Sequence, residues 1–133
     1  MNYLLDTCTI SDFFKKIPSV VKNFQEITPN QLYVSTISIM EIEFGLKLHL
    51  EKEIKIRPLW CEFLKLIQPV FFSLKCAEAT SHIRSDLKKK GNLIGPYDLL
   101  IAGTAMANNL IVVTPNMKEF NRISEIKIVD WRI

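Results

Sequence analysis

Four acids stand inside or beside apolar runs, each where a strand or loop pattern gives way to a helix. They are Asp6 in Leu4-Leu5-Asp6-Thr7, Glu41 in Ile39-Met40-Glu41-Ile42-Glu43, Asp98 in Gly95-Pro96-Tyr97-Asp98-Leu99-Leu100-Ile101-Ala102, and Glu119 in Val113-Thr114-Pro115-Asn116-Met117-Lys118-Glu119-Phe120. Carboxylates are seldom buried without a partner. Two of them about 4 Å apart repel by roughly 4 kcal/mol at an effective dielectric near 20. Four brought together need protons or bridging cations. With no His or Cys spaced as ligands, the donors are hard oxygens, which select Mg²⁺ or Mn²⁺. Such a site can turn water into a nucleophile and stabilise a phosphodiester transition state. The pattern therefore points to metal-dependent hydrolysis of a nucleic acid. Thr7, Thr114 and Asn116 are neutral polar neighbours able to orient the acids or hold waters.

Each acid also has a simpler reading. Asp6 ends a strand, at the edge where open parallel sheets bind ligands, but it can equally cap the next helix. Ser38 and Glu41 have capping-box spacing. Asp98 falls at the third position of a helix capped by Gly95, where the helix dipole favours an acid. Asn116 and Glu119 form another capping pattern. The weight lies in order, spacing and apolar surroundings taken together.

The elements that must position these acids alternate between strand and helix. Asn2 to Leu5, Leu32 to Val34, Val70 to Phe72, Leu110 to Val113 and Ile126 to Val129 read as strands. Helices are expected from Thr7 or Thr9 through Phe14, over Val20 to Ile27, around Pro58 to Ile67, over Cys76 to Lys90 and from Pro96 to Asn108. Pro96 suits a first helical turn, and Gly91-Asn92 a helix stop. Ala102, Gly103 and Ala105 allow the Asp98 helix to approach its neighbours closely. From Met40 to Leu50 apolar and polar residues alternate strictly, which argues for a strand, while composition and Ser38 argue for a helix. Periodicity alone leaves this open. As a helix, Ile37, Glu41, Phe44 and Leu48 would share one stripe. The whole implies an α/β fold: a mostly parallel central sheet flanked by helices, in a single domain over residues 1–133.

Composition narrows the classes. The 133 residues are 48% hydrophobic and 23% charged, enough for one core and too apolar for disorder. No apolar run nears the roughly 20 residues of a membrane span, and the opening is not a secretory signal. A cytoplasmic protein without a membrane partner is expected. Cys8, Cys61 and Cys76 are an odd set without CxxC spacing, so buried free thiols are favoured over zinc or disulfides. His49 and His82 stand alone. The net charge of +3 permits an anionic partner without demanding one. Lys15-Lys16 and the segment of Arg84, Lys88, Lys89 and Lys90 are ordinary solvated faces taken alone. Beside an acidic metal site they could hold an RNA backbone.

Together these residues resemble the PIN-domain ribonucleases, specifically the VapC-type toxins of bacterial toxin–antitoxin pairs. The resemblance rests on Tyr3-Leu4-Leu5-Asp6-Thr7-Cys8, Ser38 to Gly45, Pro96 to Ala102, Leu110 to Phe120 and Val129-Asp130-Trp131, and covers essentially the full length. It implies a helical Glu41 segment, a PIN-like sandwich and Mg²⁺-dependent cleavage of transfer or ribosomal RNA. It also implies a homodimer and an antitoxin of the VapB type that blocks the site. Asp6, Glu41 and Asp98 match the family's core acids. The fourth position, often Asp, is here Glu119, whose longer arm reaches an ion through water. Asp6 and Asp98 are then expected as ligands, with Glu41 completing the shell and orienting the attacking water. Two rivals stay close: a PIN nuclease of RNA processing without an antitoxin, and a PIN-like domain that binds RNA or protein without cutting. A phosphoacceptor receiver domain fits poorly, because the early acid is single and no Asp ends a central strand.

Overall fold

The computed structural model describes residues 1–133. Five strands, β1 (Tyr3–Leu5), β2 (Leu32–Ser35), β3 (Gln68–Val70), β4 (Ile111–Val113) and β5 (Ile128–Val129), form one sheet in the order β3-β2-β1-β4-β5. Every pairing is parallel. Seven helices cover it: α1 (Thr7–Phe14), α2 (Pro18–Glu26), α3 (Thr36–Leu48), α4 (Leu50–Leu66), α5 (Leu74–Lys89), α6 (Pro96–Asn108) and α7 (Met117–Phe120). Parallel strands need crossovers and are buried on both faces, which explains their unbroken apolar runs.

Alternation along β1 and β4 divides the core. Leu4 and Val112 face one layer with Ile83, Leu87, Ile101 and Phe120. Leu5 and Val113 face the other, with Ile10, Trp60, Phe63 and Trp131. Leu4 and Leu5 are wholly buried, so a one-residue slip of β1 would exchange the two layers. The chain runs from β1 outward to β2 and β3, then returns to the other side of β1 for β4 and β5. The crevice beyond the carboxyl ends of β1 and β4 is thus the topological switch point, where such sheets bind ligands.

Several boundaries depart from the sequence expectation. The Met40–Leu50 segment is helical to Leu48. Its alternation arises because both sides of α3 carry apolar residues: Ile42 and Leu46 are buried, while Met40, Phe44 and Leu48 are exposed. The stripe of Ile37, Glu41, Phe44 and Leu48 is therefore not the core seam. Ser35, not Ser38, caps the helix, accepting from the Ser38 amide at 3.1 Å. The capping box with Glu41 does not form. Pro58 lies inside α4, which begins at Leu50. The third strand ends at Val70, leaving Phe71 73% exposed. Helix α6 spans Pro96–Asn108 as expected and closes on left-handed Asn109. A Cβ on Gly103 would lie 1.7 Å from Thr80 Oγ1, so glycine there sets the approach of α5 to α6. No helix is long and apolar enough to cross a membrane.

Candidate active site

The carboxyl end of β1 delivers Asp6, which is 3% exposed. Its Oδ1 accepts from the Thr9 amide at 2.8 Å, capping α1. The cap uses one carboxylate oxygen, so capping α1 and a role in a site are compatible in this one residue. Burial raises the Asp6 pKa, and the Thr114 hydroxyl and the Thr9 amide partly oppose it. Thr9 Oγ1 donates to the Val113 carbonyl at 2.9 Å and ties this turn to β4.

Asp98 is the third residue of α6, behind Gly95 and Pro96. Asn116 precedes α7, and Glu119 is that helix's third residue. The Asn116 Nδ2 amide donates to Asp98 Oδ2 at 3.0 Å and to Glu119 Oε2 at 2.5 Å. The Asn116 side chain does not cap α7, so the expected capping pattern gives way to a bridge between two acids. Burial pushes the Asp98 carboxyl up to about 6, and Glu119 and Asp6 add to the rise. Glu119 moves the other way, held low chiefly by the Asn116 amide. Below about pH 6 the pair therefore takes up its proton chiefly on Asp98, and Glu119 keeps its charge to lower pH. Thr114 Oγ1 accepts from the Asn116 amide at 3.0 Å and faces Asp6, joining the two halves of the cluster.

Glu41 approaches from α3. The Thr7 hydroxyl donates to Glu41 Oε1 at 2.7 Å and lies 3.1 Å from the Ser38 hydroxyl. Two residues along, Glu43 has a different fate. Arg57, Lys47 and the Trp60 indole hold its carboxylate, well below the usual range, as a clip between α3 and α4. None of Asp6, Glu41, Asp98 and Glu119 forms a salt bridge.

The donor set suits a hard divalent cation. Carboxylates without a cationic partner cluster there, and two of them have pKa values raised by burial. No group of three or more acidic, His or Cys side chains is placed to hold a metal ion among themselves.

The basic residues divide. Lys15 lines a recess shared with Glu41, whereas Lys16, at φ 60°, lines an apolar groove on the other side of α1. Cys76 faces Asn108 and Thr80 faces Gly103, so α5 runs antiparallel to α6. Its last turn, with Lys88 and Lys89, leads through residues 90–95 into the helix carrying Asp98. Lys90 pairs with Asp86 at 3.0 Å, and Arg84 is exposed. None of these cations touches an acid of the cluster.

Sequence reasoning missed four neighbours. Ser38 supports Thr7. Thr9 locks the first turn of α1. Buried Asp12 accepts two hydrogen bonds from Arg132, at 2.6 and 3.0 Å. Cys8 is exposed, but partial desolvation and the charges of Asp6 and Asp98 push its thiol up to about 11. Only Ser38 and Thr9 carried a signal, as small hydroxyls within a helical turn of a singled-out acid.

A parallel sheet with acids gathered at its switch point defines a class, and the chain belongs to the PIN-domain family, whose model matches residues 3–126. Within that family its relatives are the VapC ribonucleases. It is 32% identical over 131 residues to the tRNA(fMet)-specific endonuclease VapC of Salmonella typhimurium, covering 98% of each chain. It is 35% identical over 133 residues to Ribonuclease VapC2 of Rickettsia felis, again covering 98% of each. Among solved structures it resembles VapBC2 from Rickettsia felis, bound to a DNA fragment from their promoter. There the TM-score is 0.89 at 34% identity, over 98% of this chain and 99% of that one. DNA-bound VapBC from Salmonella typhimurium gives a TM-score of 0.88 at 33% identity, over 98% of both.

Proposed function

We propose that this VapC-type ribonuclease is a Mg²⁺-dependent, site-specific endoribonuclease, the toxin of a toxin–antitoxin pair, acting in the cytoplasm as a single domain over residues 1–133. The observation that carries the metal requirement is the set of unpaired acids at the switch point, with Asp98 pushed up to about 6. Mg²⁺, or Mn²⁺ in its place, supplies a more acidic bound water and offsets charge on the scissile phosphate. Asp6 and Asp98 would hold the ion. Asn116 keeps Asp98 and Glu119 together, so Glu119 acts beside the ion or through water. Thr7 fixes one oxygen of Glu41 and leaves the other to orient or deprotonate the attacking water. Lys15 and the Lys88–Lys89 turn would steer the RNA backbone, with Lys16, Arg84 and Lys90 adding charge farther away.

The relatives' names make transfer RNA the first substrate to test and a VapB-type antitoxin the expected partner. An apolar groove of about 740 Å³, with Phe13, Val21, Leu59 and Phe63 in its walls, offers an antitoxin segment a seat beside α1. The exposed Met40, Phe44 and Leu48 face of α3 suits a homodimer contact.

The test is cleavage of total RNA by purified protein with Mg²⁺ or Mn²⁺, with new ends sequenced. EDTA and the Asp6→Asn and Asp98→Asn variants are controls. Discrete cuts lost in all three controls are expected. Cuts that survive them would refute the mechanism.

A further inference from the structure

A recess of about 160 Å³ opens between α1, α3 and α4, with Glu41 and Thr7, the residue after Asp6, in its lining. Phe14, Ile42, Leu46 and Ile56 supply apolar walls, and Thr7 and Glu41, joined by a 2.7 Å hydrogen bond, supply a polar one. Pockets that engulf drug-sized ligands run from about 300 to 1,000 Å³, so this one has room for a single ring system. An apolar lining with a carboxylate at one end suits neither a phosphate nor a cation. It suits a flat aromatic ring with hydrogen-bonding edges. Lys15 and Lys52 stand at its margin, where backbone phosphates on either side of such a ring would pass.

Gly45 makes the recess more than a packing gap. It lies inside α3, where glycine is destabilising by roughly 0.8–1 kcal/mol relative to alanine. A Cβ there would meet no atom within 4 Å. Its φ lies outside the left-handed range, so neither the backbone nor a neighbouring atom requires glycine. What the missing side chain preserves is the open space of the recess.

We infer that this recess receives one unstacked base of the RNA, from a nucleotide adjoining the bond that is cut, and that Gly45 keeps it open. Sequence-specific recognition of RNA works on splayed bases that stack on side chains and expose their edges to hydrogen bonding. Phe14 provides the aromatic surface. Ser11 and Thr7, one turn apart on α1, provide the hydroxyls. Because Thr7 also holds Glu41, the seated base and the reacting phosphate are placed through the same turn of α1.

The inference rests on the ribonuclease reading, and the experiment separates the two. Wild type, Gly45→Ala, Gly45→Leu and Ser11→Leu are compared on total RNA with Mn²⁺, with new ends sequenced. Melting temperature and calorimetric Mn²⁺ affinity are measured on each. Ser11→Leu fills the recess from the opposite wall and serves if Gly45→Leu does not fold. Expected are melting temperatures at or above wild type for the Gly45 variants and unchanged Mn²⁺ affinity. With these goes a loss of about ten- to hundredfold in kcat/KM at the preferred site for both leucine variants, the worth of one stacked base. Gly45→Ala gives a smaller loss in the same direction, because its methyl fills only part of the recess. A wild type that makes no discrete cuts overturns the nuclease reading and this inference with it. Discrete wild-type cuts reproduced at the same positions and rate by the leucine variants overturn this inference alone. Unchanged cutting together with lost inhibition by the antitoxin would assign the recess to the antitoxin and overturn it as well.

Discussion

Replacing Asp98 with asparagine should stabilise the metal-free protein while removing its activity. The folded chain holds the Asp98 proton to about pH 6, against an ordinary value of 3.8. The carboxylate therefore destabilises the fold when ionised. The penalty is complete above pH 6 and fades as pH falls through 6 toward 3.8. Full ionisation would correspond to about 3 kcal/mol. Asp98 is only half-buried, and solvent screening reduces this to about 1–2 kcal/mol. Asparagine resembles the protonated acid: it can accept from Asn116 and donate to Glu119, keeping the bridge intact. Scanning fluorimetry in EDTA should show Asp98→Asn melting roughly 3–8 °C above wild type at pH 7.5. The gap should narrow by about half at pH 5 and close only near pH 3.8, as the wild type gains stability with falling pH. Added Mg²⁺ should raise only the wild-type curve, by mass action. A variant that melts below wild type at pH 7.5 in EDTA, or a wild type that loses stability between pH 8 and 6, would refute the reasoning.

Thr7→Val removes the donor 2.7 Å from Glu41 and leaves that carboxylate free to turn. It should change stability by no more than about 1–2 kcal/mol and lower kcat with little effect on Mn²⁺ affinity; an unchanged kcat would remove Glu41 from the water-orienting role. Arg132→Ala strands the buried Asp12 carboxylate and should destabilise by about 2–3 kcal/mol in urea titrations, whereas Asp12→Asn/Arg132→Ala should recover part of that loss. A single variant as stable as wild type would show the pair to be dispensable. Cys8, although exposed, should be alkylated more slowly than Cys61 at pH 8 because its thiol titrates at about 11. Peptide mass spectrometry after timed iodoacetamide treatment reads this directly, and equal rates would contradict it.

The legible parts of the fold were those written in local chemistry. Pro96 and the Asn108-Asn109 ending delimit α6 because proline presets the first turn and Asn109 accepts a left-handed φ. The strand around Val112 is legible because a central parallel strand is apolar on both faces. The α3 segment defeated periodicity because its outer face is apolar as well. That is a property of what covers the helix, not of the helix itself. The start of α4 was hidden by Pro58, which reads as a helix start yet sits in the interior. Helix α7, four residues long, is too short to show a period.

The sequence by itself determined which acids were candidates, their order, and the hard-oxygen chemistry that follows from having no His or Cys among them. Each lies within a few residues of its own helix start, so local pattern suffices. Only the tertiary structure decided which carboxylates are neutralised by cations and which are not. Glu41 and Glu43 are two residues apart and equally acidic in sequence. Arg57 on α4 neutralises Glu43 and the Trp60 indole donates to it, while Thr7 on α1 donates to Glu41, which has no cationic partner. Asn116 looked like a cap and proved to be the amide that joins Asp98 to Glu119. These pairings span chain separations set by the register of β1 against β2 and β4, and a one-dimensional pattern carries no record of that register.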